Sequence, residues 1–342
     1  MIKGSQFCVA AILACGLLCG PKSKADDQQP HKKGEVRAEA PGCGSPVPQI
    51  TFETRILKDS FRFFDEEGQK KGPAGADFLR VGTCVYKPLG VPMVNATRPN
   101  CLFLPEWFLR PGGPRDGSLW REAFFVKPEK IPHGVRIRYP DEALAKSGVH
   151  CTLDYTVKGD MIGLDGFFEA TRSQTNLEVL IASYLPNRLN ATYAPAGRDS
   201  DITWKPITSR VEIWKSAFWV CVSPEVRGWR RDGRVGDAKE LGDWSLVYDA
   251  DWPYAAPILV DIEEASGLAA ILFVDDNCTV LTGQYHPNDT AHDFAWGWRS
   301  LSPGQKIHAR AVLWITQLQG SQSDRMAHVY KKYLAWRKSW AK

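Results

Sequence analysis

The sequence predicts an all-β protein, a large antiparallel β-sandwich with one C-terminal α-helix. Two observations carry this. Short runs of alternating apolar and polar residues recur along the chain, the period of a half-buried strand. Helical periodicity appears only once, near the C-terminus. The frequency of turn residues, 29 Gly and 23 Pro in 342 residues, agrees with many short strands and argues against a coiled coil. With 44% apolar residues and a formal net charge of +4, the composition is that of a globular chain.

The first 25 residues read as a targeting segment. Lys3 supplies the positive start, Phe7 to Leu18 an apolar stretch too short to span a bilayer, and Ser23-Lys24-Ala25 the small residues of a cleavage site. Cleavage after Ala25 implies a secreted or periplasmic protein. An uncleaved N-terminal anchor is one alternative, and a lipid anchor through Cys15, after Ile12-Leu13-Ala14, is another. Cleavage removes three lysines and no acid, leaving a nearly neutral chain. Such a chain has no basic field for phosphates, which excludes a nucleic-acid partner, and no later segment is apolar enough for an integral membrane span. Residues 26–48, rich in Pro, Gly, Gln and charge, read as a disordered linker. Residues 49–342 then form a single domain, with its helix over 323–338.

Within that domain the strand pattern runs over Ile50–Leu57, Phe78–Tyr86, Cys151–Val157, Met161–Ala170 and Leu177–Tyr184. It continues over Thr208–Trp214, Ala217–Val222, Ile258–Ile262, Leu268–Val274 and Lys306–Thr316. Lys158-Gly159-Asp160 reads as a hairpin turn, and Ser266-Gly267 separates another strand pair. His133, beside Gly134, reads as a turn residue. Val91–Gly117 and Pro224–Trp244 read as long loops. Ser323 is expected to cap the helix, whose apolar stripe is Met326, Val329, Tyr330, Tyr333 and Leu334. Of the cysteines, Cys43, Cys84, Cys101, Cys151, Cys221 and Cys278 survive cleavage. They form disulfides in an oxidising compartment, or are small buried apolar residues.

Two features point to function. The chain holds 13 Trp, and an indole face suits the C–H face of a sugar ring. Trp204, Trp214, Trp219 and Trp314 sit in strand patterns and read as core. Trp107, Trp229, Trp252, Trp296 and Trp298 sit in or beside expected loops and are candidate platforms. The second feature is the polar segment Gln284-Tyr285-His286-Pro287-Asn288-Asp289-Thr290-Ala291-His292-Asp293. As a loop it offers Tyr285, His286 and His292 for proton transfer, and Gln284, Asn288 and Asp289 for hydrogen bonds to hydroxyls. Trp296, Trp298 and Trp229 would complete the site, with Arg230 from the Arg-rich segment near Arg227. His286, Asp289, His292 and Asp293 have the donor types of a metal site; the preferred reading has no metal and no cofactor, and a solvated polar loop is the plain alternative.

The segments Thr282-Gly283-Gln284, His286-Pro287-Asn288-Asp289 and Leu301-Ser302-Pro303-Gly304-Gln305, followed by the Lys306–Thr316 strand, resemble the last part of the galactose mutarotase-like (aldose epimerase-like) β-supersandwich family. Leu153–Asp160 resembles its central hairpin. The resemblance implies a supersandwich-like fold and a carbohydrate ligand. It does not imply epimerase activity, because Leu281, Thr282 and Gly283 stand where the family's base is expected. The expected function is that of a secreted carbohydrate-binding protein. The alternatives are a carbohydrate-active enzyme, a polysaccharide lyase or sugar epimerase, and a structural envelope protein without a small ligand.

Overall fold

The computed structural model describes residues 49–63, 79–94, 102–109, 128–197, 202–207, 228–230, 255–286 and 289–340. The first half of the described chain comprises β1 (Gln49–Glu53), β2 (Leu57–Phe63), β3 (Leu79–Tyr86), β4 (Val91–Pro92), β5 (Leu104–Leu109), β6 (Pro128–Ile131), β7 (Gly134–Arg138), α1 (Asp141–Ser147), β8 (Val149–Lys158) and β9 (Met161–Ala170). The second comprises β10 (Gln174–Leu185), β11 (Ala191–Ala196), β12 (Thr203–Ile207), β13 (Gly228–Arg230), β14 (Ile258–Ile262), β15 (Leu268–Val274), β16 (Cys278–His286), β17 (Asp289–Leu301), β18 (Lys306–Gln317) and α2 (Gln322–Trp340). The strands form an antiparallel nine-stranded sheet, β12-β11-β14-β15-β18-β9-β8-β7-β6, and a five-stranded sheet, β13-β16-β17-β10-β5. A four-stranded sheet, β1-β2-β3-β4, completes the set. All the described residues fall in one unit, Ser45–Lys342. The expected all-β sandwich with a C-terminal helix is the architecture observed.

One apolar cluster joins the two large sheets. Leu153, Leu164, Leu272 and Leu313 of the nine-stranded sheet meet Val179, Ile181, Phe294 and Trp296 of the five-stranded one. A second cluster lies on the outer face of the nine-stranded sheet, where Val260, Ile271, Phe273 and Trp314 pack under Met326, Val329 and Tyr333 of α2. This explains why β15 reads as an unbroken apolar run. Leu268, Ala270, Leu272 and Val274 serve the first cluster, and Ala269, Ile271 and Phe273 the second.

Several elements differ from the sequence expectation. Ile50–Leu57 is two strands, because Thr54 turns the chain; its hydroxyl accepts hydrogen bonds from the Leu57 and Ile56 amides at 2.9 and 3.2 Å. The short helix α1 was not anticipated. Cap residues shift as well: Ser321, not Ser323, caps α2. Its hydroxyl accepts the Asp324 amide at 3.2 Å while the Asp324 carboxylate accepts the Ser321 amide at 3.1 Å, a reciprocal cap. The buried stripe of α2 is Met326, Val329 and Tyr333, with Trp336 packed against the same cluster. Leu334, expected in the stripe, is 45% exposed, because it falls one position past the 3-4 spacing of Met326, Val329 and Tyr333. The Lys158–Asp160 hairpin stands, with Gly159 at φ 61°, a conformation open to glycine. His133 also turns the chain as expected, at φ 61° between β6 and β7. The expected long loops contain β4 and β5 in one case and β13 in the other. Thr208–Trp214, Ala217–Val222, the leader, the linker, Cys43, Cys101 and Cys221 lie outside the described residues. No disulfide joins any two of the described cysteines; Cys84, Cys151 and Cys278 are buried in the apolar cluster, and burial pushes the Cys151 thiol up.

The turn between β15 and β16 holds a titratable group. Asp275 is 1% exposed and accepts hydrogen bonds from the Arg310 amide at 2.8 Å, the Asn277 side chain at 2.9 Å and the Asn277 amide at 3.0 Å. Burial pushes its carboxyl up to about 6 despite those bonds. The folded chain therefore binds this proton more tightly than the unfolded chain. The group's stabilising contribution is full below the ordinary value of 3.8 and is lost as pH rises through about 6. Thermal melts across this window are expected to show a steeper loss of stability with rising pH in the native chain than in Asp275→Asn. Parallel profiles would reject the assignment.

Candidate functional site

The polar segment read as a loop is mostly strand. β16 runs through His286 and β17 starts at Asp289, so only Pro287 and Asn288 lie between them, and these two are outside the described residues. Pairing runs from His286↔Asp289 through Gln284↔Ala291, Gly283↔His292 and Thr282↔Asp293 to Leu281↔Phe294. A strand alternates its faces, so neighbours 292 and 293 point apart. The inward face of β17 carries His292, Phe294 and Trp296, and the outward face carries Asp293 and Ala295.

This corrects two expectations. His292 is fully buried, and its Nε2 lies 2.5 Å from Oδ2 of Asp261 on β14, also fully buried. The contact is close without being aligned as a hydrogen bond. The other Asp261 oxygen accepts the Thr192 hydroxyl of β11. Ser183, the register partner of His292 on β10, accepts the Phe103 amide at 2.9 Å. His292 thus belongs to a polar bridge between the two sheets, closed to solvent, and is no surface catalyst. Trp296 is likewise fully buried, edge-on to Phe168 and Phe294 at 5.9 and 5.4 Å, and presents no face to a ligand. Trp298 is half-buried against the core, with its indole N–H directed to Asn277 at 3.3 Å. The four donors of the metal alternative, His286, Asp289, His292 and Asp293, do not converge as one set, because His292 and Asp293 point to opposite faces of β17.

The structure does bring together residues that are distant in sequence. Trp229 and Arg230 of β13 pair with Leu281 and Val280 of β16, which places these two residues beside the strand that ends in Gln284, Tyr285 and His286. Register puts Arg230, Val280, Ala295 and Leu180 in one outward row, and Thr282, Asp293 and Ala182 in the next. Gln284 and Tyr184 share the row beyond, and His286 and Asp289 close the hairpin. Trp229 and Tyr285 fall on the inward rows.

The middle of this outward face is apolar: Leu180, Ala182 and Ala295 are all buried. Polar groups flank it. On one side the Thr279 hydroxyl donates to Glu178 at 3.3 Å. On the other stand Asp293 and Tyr184, each 3% exposed. Gly297 leaves room at this edge, since a Cβ there would lie 2.5 Å from the Thr279 hydroxyl and 3.1 Å from Glu178. Glu178 and Tyr184 were missed as site residues. Their signal was present, as polar residues at even positions of an otherwise apolar strand.

No protein-family model matches the chain. No curated protein matches it either. Among solved structures, it is similar to a putative aldose 1-epimerase from Escherichia coli, with 9% identity over 80% of this chain and 100% of the other, at a TM-score of 0.47. Many of its structural neighbours are galactose mutarotase-like or aldose 1-epimerase proteins. A galactose mutarotase-like protein from Lactobacillus casei is 12% identical over 79% of this chain and 100% of its own, at a TM-score of 0.45. A protein from Synechocystis is 9% identical over 82% and 99%, at a TM-score of 0.47.

Proposed function

We propose that this is an exported carbohydrate-binding protein whose ligand lies on the outward face of the five-stranded sheet. The observation that supports this best is the register that gathers Arg230, Gln284, His286 and Asp289 on that face, toward the β16–β17 hairpin. Leu180, Ala182, Ala295, Glu178, Asp293 and Tyr184 are at most 3% exposed and form the closed, packed part of the face behind them. Carboxylates and amides accept hydrogen bonds from sugar hydroxyls, and ligand sites commonly place a few such polar groups against apolar lining. Export is supported by Lys3, the Phe7–Leu18 stretch and Ala25.

The test is calorimetric titration of the full chain with neutral monosaccharides. Asp289→Asn, which keeps the shape and removes the charge, is expected to weaken binding about tenfold or more. His286→Ala, at the end of the face, is expected to weaken it roughly several-fold. Binding of no sugar, or equal affinity in both variants and the native chain, would refute the reading.

A further inference from the structure

A separate groove lies on the opposite side of the molecule's main core, on the outer face of the nine-stranded sheet. Its volume is about 390 Å³. Strands β8, β9 and β18 make the floor through Thr156, Gly163 and Val312, and the C-terminal turns of α2 contribute Trp336 and Ser339. Gly163 sets the depth of the floor. A Cβ there would lie 2.6 Å from the Thr156 hydroxyl, so any larger residue would displace it.

The charges of this groove do not cancel. Asp165 is held by Arg310 Nε at 3.0 Å and by His308 Nε2 at 2.7 Å, and His308 is stacked on Phe167 at 4.4 Å. The next carboxylate on the same face, Asp154, is closed by a two-point contact with Arg136 at 2.6 and 2.7 Å. Asp160 accepts the Trp314 indole N–H at 2.6 Å, and Asp276 of the neighbouring turn is held by Arg337 at 2.8 Å. Lys158 has no acidic partner among the described residues. Lys158 and Arg310 therefore face the groove against one carboxylate, Asp165, and leave an excess of positive charge.

From this geometry we propose that the groove is a second ligand site, for a sugar acid, a pyranose ring carrying one carboxylate. The carboxylate meets Lys158 and the Arg310 side of the floor, where a charge-assisted contact is strongest. Sugar hydroxyls meet Thr156 and donate to the Ser339 hydroxyl, which itself donates to the Trp336 carbonyl at 2.6 Å, and the ring's C–H face lies against the indole of Trp336. A volume of about 390 Å³ lies at the small-molecule end of ligand sites and suits one or two sugar rings. A bare anion makes no use of the indole. An apolar carboxylate leaves the Thr156 hydroxyl and the Asp165 edge facing carbon, which costs affinity.

The full chain, labelled with nitrogen-15, is titrated with D-galacturonate, D-galactose and acetate while the Gly163 and Ser339 amides are followed. Galacturonate is expected to shift both amides saturably, and galactose and acetate to shift them only weakly. Lys158→Met is expected to weaken galacturonate about tenfold to a hundredfold. Asp289→Asn, on the other sheet, is expected to leave this binding unchanged, which separates this site from the one on the five-stranded sheet. The proposal is overturned if galactose or acetate matches galacturonate at these amides, if galacturonate does not shift them, or if Lys158→Met binds as the native chain does.

Discussion

Replacing His292 with alanine is expected to cost about 3–5 kcal/mol of folding stability, read by denaturant unfolding. His292 and Asp261 are both fully buried and approach to 2.5 Å. Removing one leaves the other without its partner in a site that water does not reach, and the desolvation already incurred is no longer offset. The companion variant Asp261→Asn keeps the volume and should also destabilise, because the amide turns an N–H toward either His292 or the Thr192 hydroxyl. As the two residues touch, the double variant should lose less than the sum of the singles. A surface residue behaves otherwise, with changes of about 0.5 kcal/mol or less. Single variants in that range would return His292 to the exposed loop in which the sequence alone places it.

The reason for that misplacement is physical. Strand reading looks for apolar residues alternating with polar ones, and His292-Asp293-Phe294-Ala295-Trp296-Gly297-Trp298 alternates large with small instead. The large residues face the sheet-to-sheet core and the small or acidic ones face outward, so the period of two is present in volume and absent in polarity. β14 carried a second hint, the acid Asp261 inside the apolar run Ile258–Ile262; a buried acid implies a buried partner on another element. By contrast, β9, β14 and β15 keep their expected bounds, Met161–Ala170, Ile258–Ile262 and Leu268–Val274. Their turns carry local chemistry, as at Gly159. What could not be read was pairing between strands distant in sequence. Nothing in Gly228-Trp229-Arg230 shows that it joins β16 rather than any other edge. The outward face that gathers Glu178, Tyr184, Arg230 and Asp293 exists only once that register is known. Of the expected site, Gln284, His286, Asp289 and Arg230 fall on that face, whereas His292 and Trp296 point the other way.

Truncating Trp296 to alanine is expected to cost about 3–5 kcal/mol, the range for a large aromatic in a core. Three neighbours set the effect. Phe168 of β9 and Phe294 of β17 meet the indole edge-to-face at 5.9 and 5.4 Å, with interplanar angles of 65° and 74°. Gly166 of β9 supplies the third contact, where an added Cβ would lie only 2.9 Å from the indole ring. The indole therefore fills the space between the sheets, and its position depends on a missing side chain opposite. Alanine leaves a cavity that two strands in paired sheets cannot close by moving. Phenylalanine retains part of the fill and should cost less. Adding volume at the other side, by Gly166→Ala, should also destabilise, since the added Cβ would press on the Phe168 ring at 2.7 Å as well as on the indole. Calorimetric melting of the three variants tests the ordering, Trp296→Ala well below Trp296→Phe. If Trp296→Ala melts with the native chain and instead loses sugar affinity, the indole is a ligand platform after all, and the packing described between β9 and β17 is wrong.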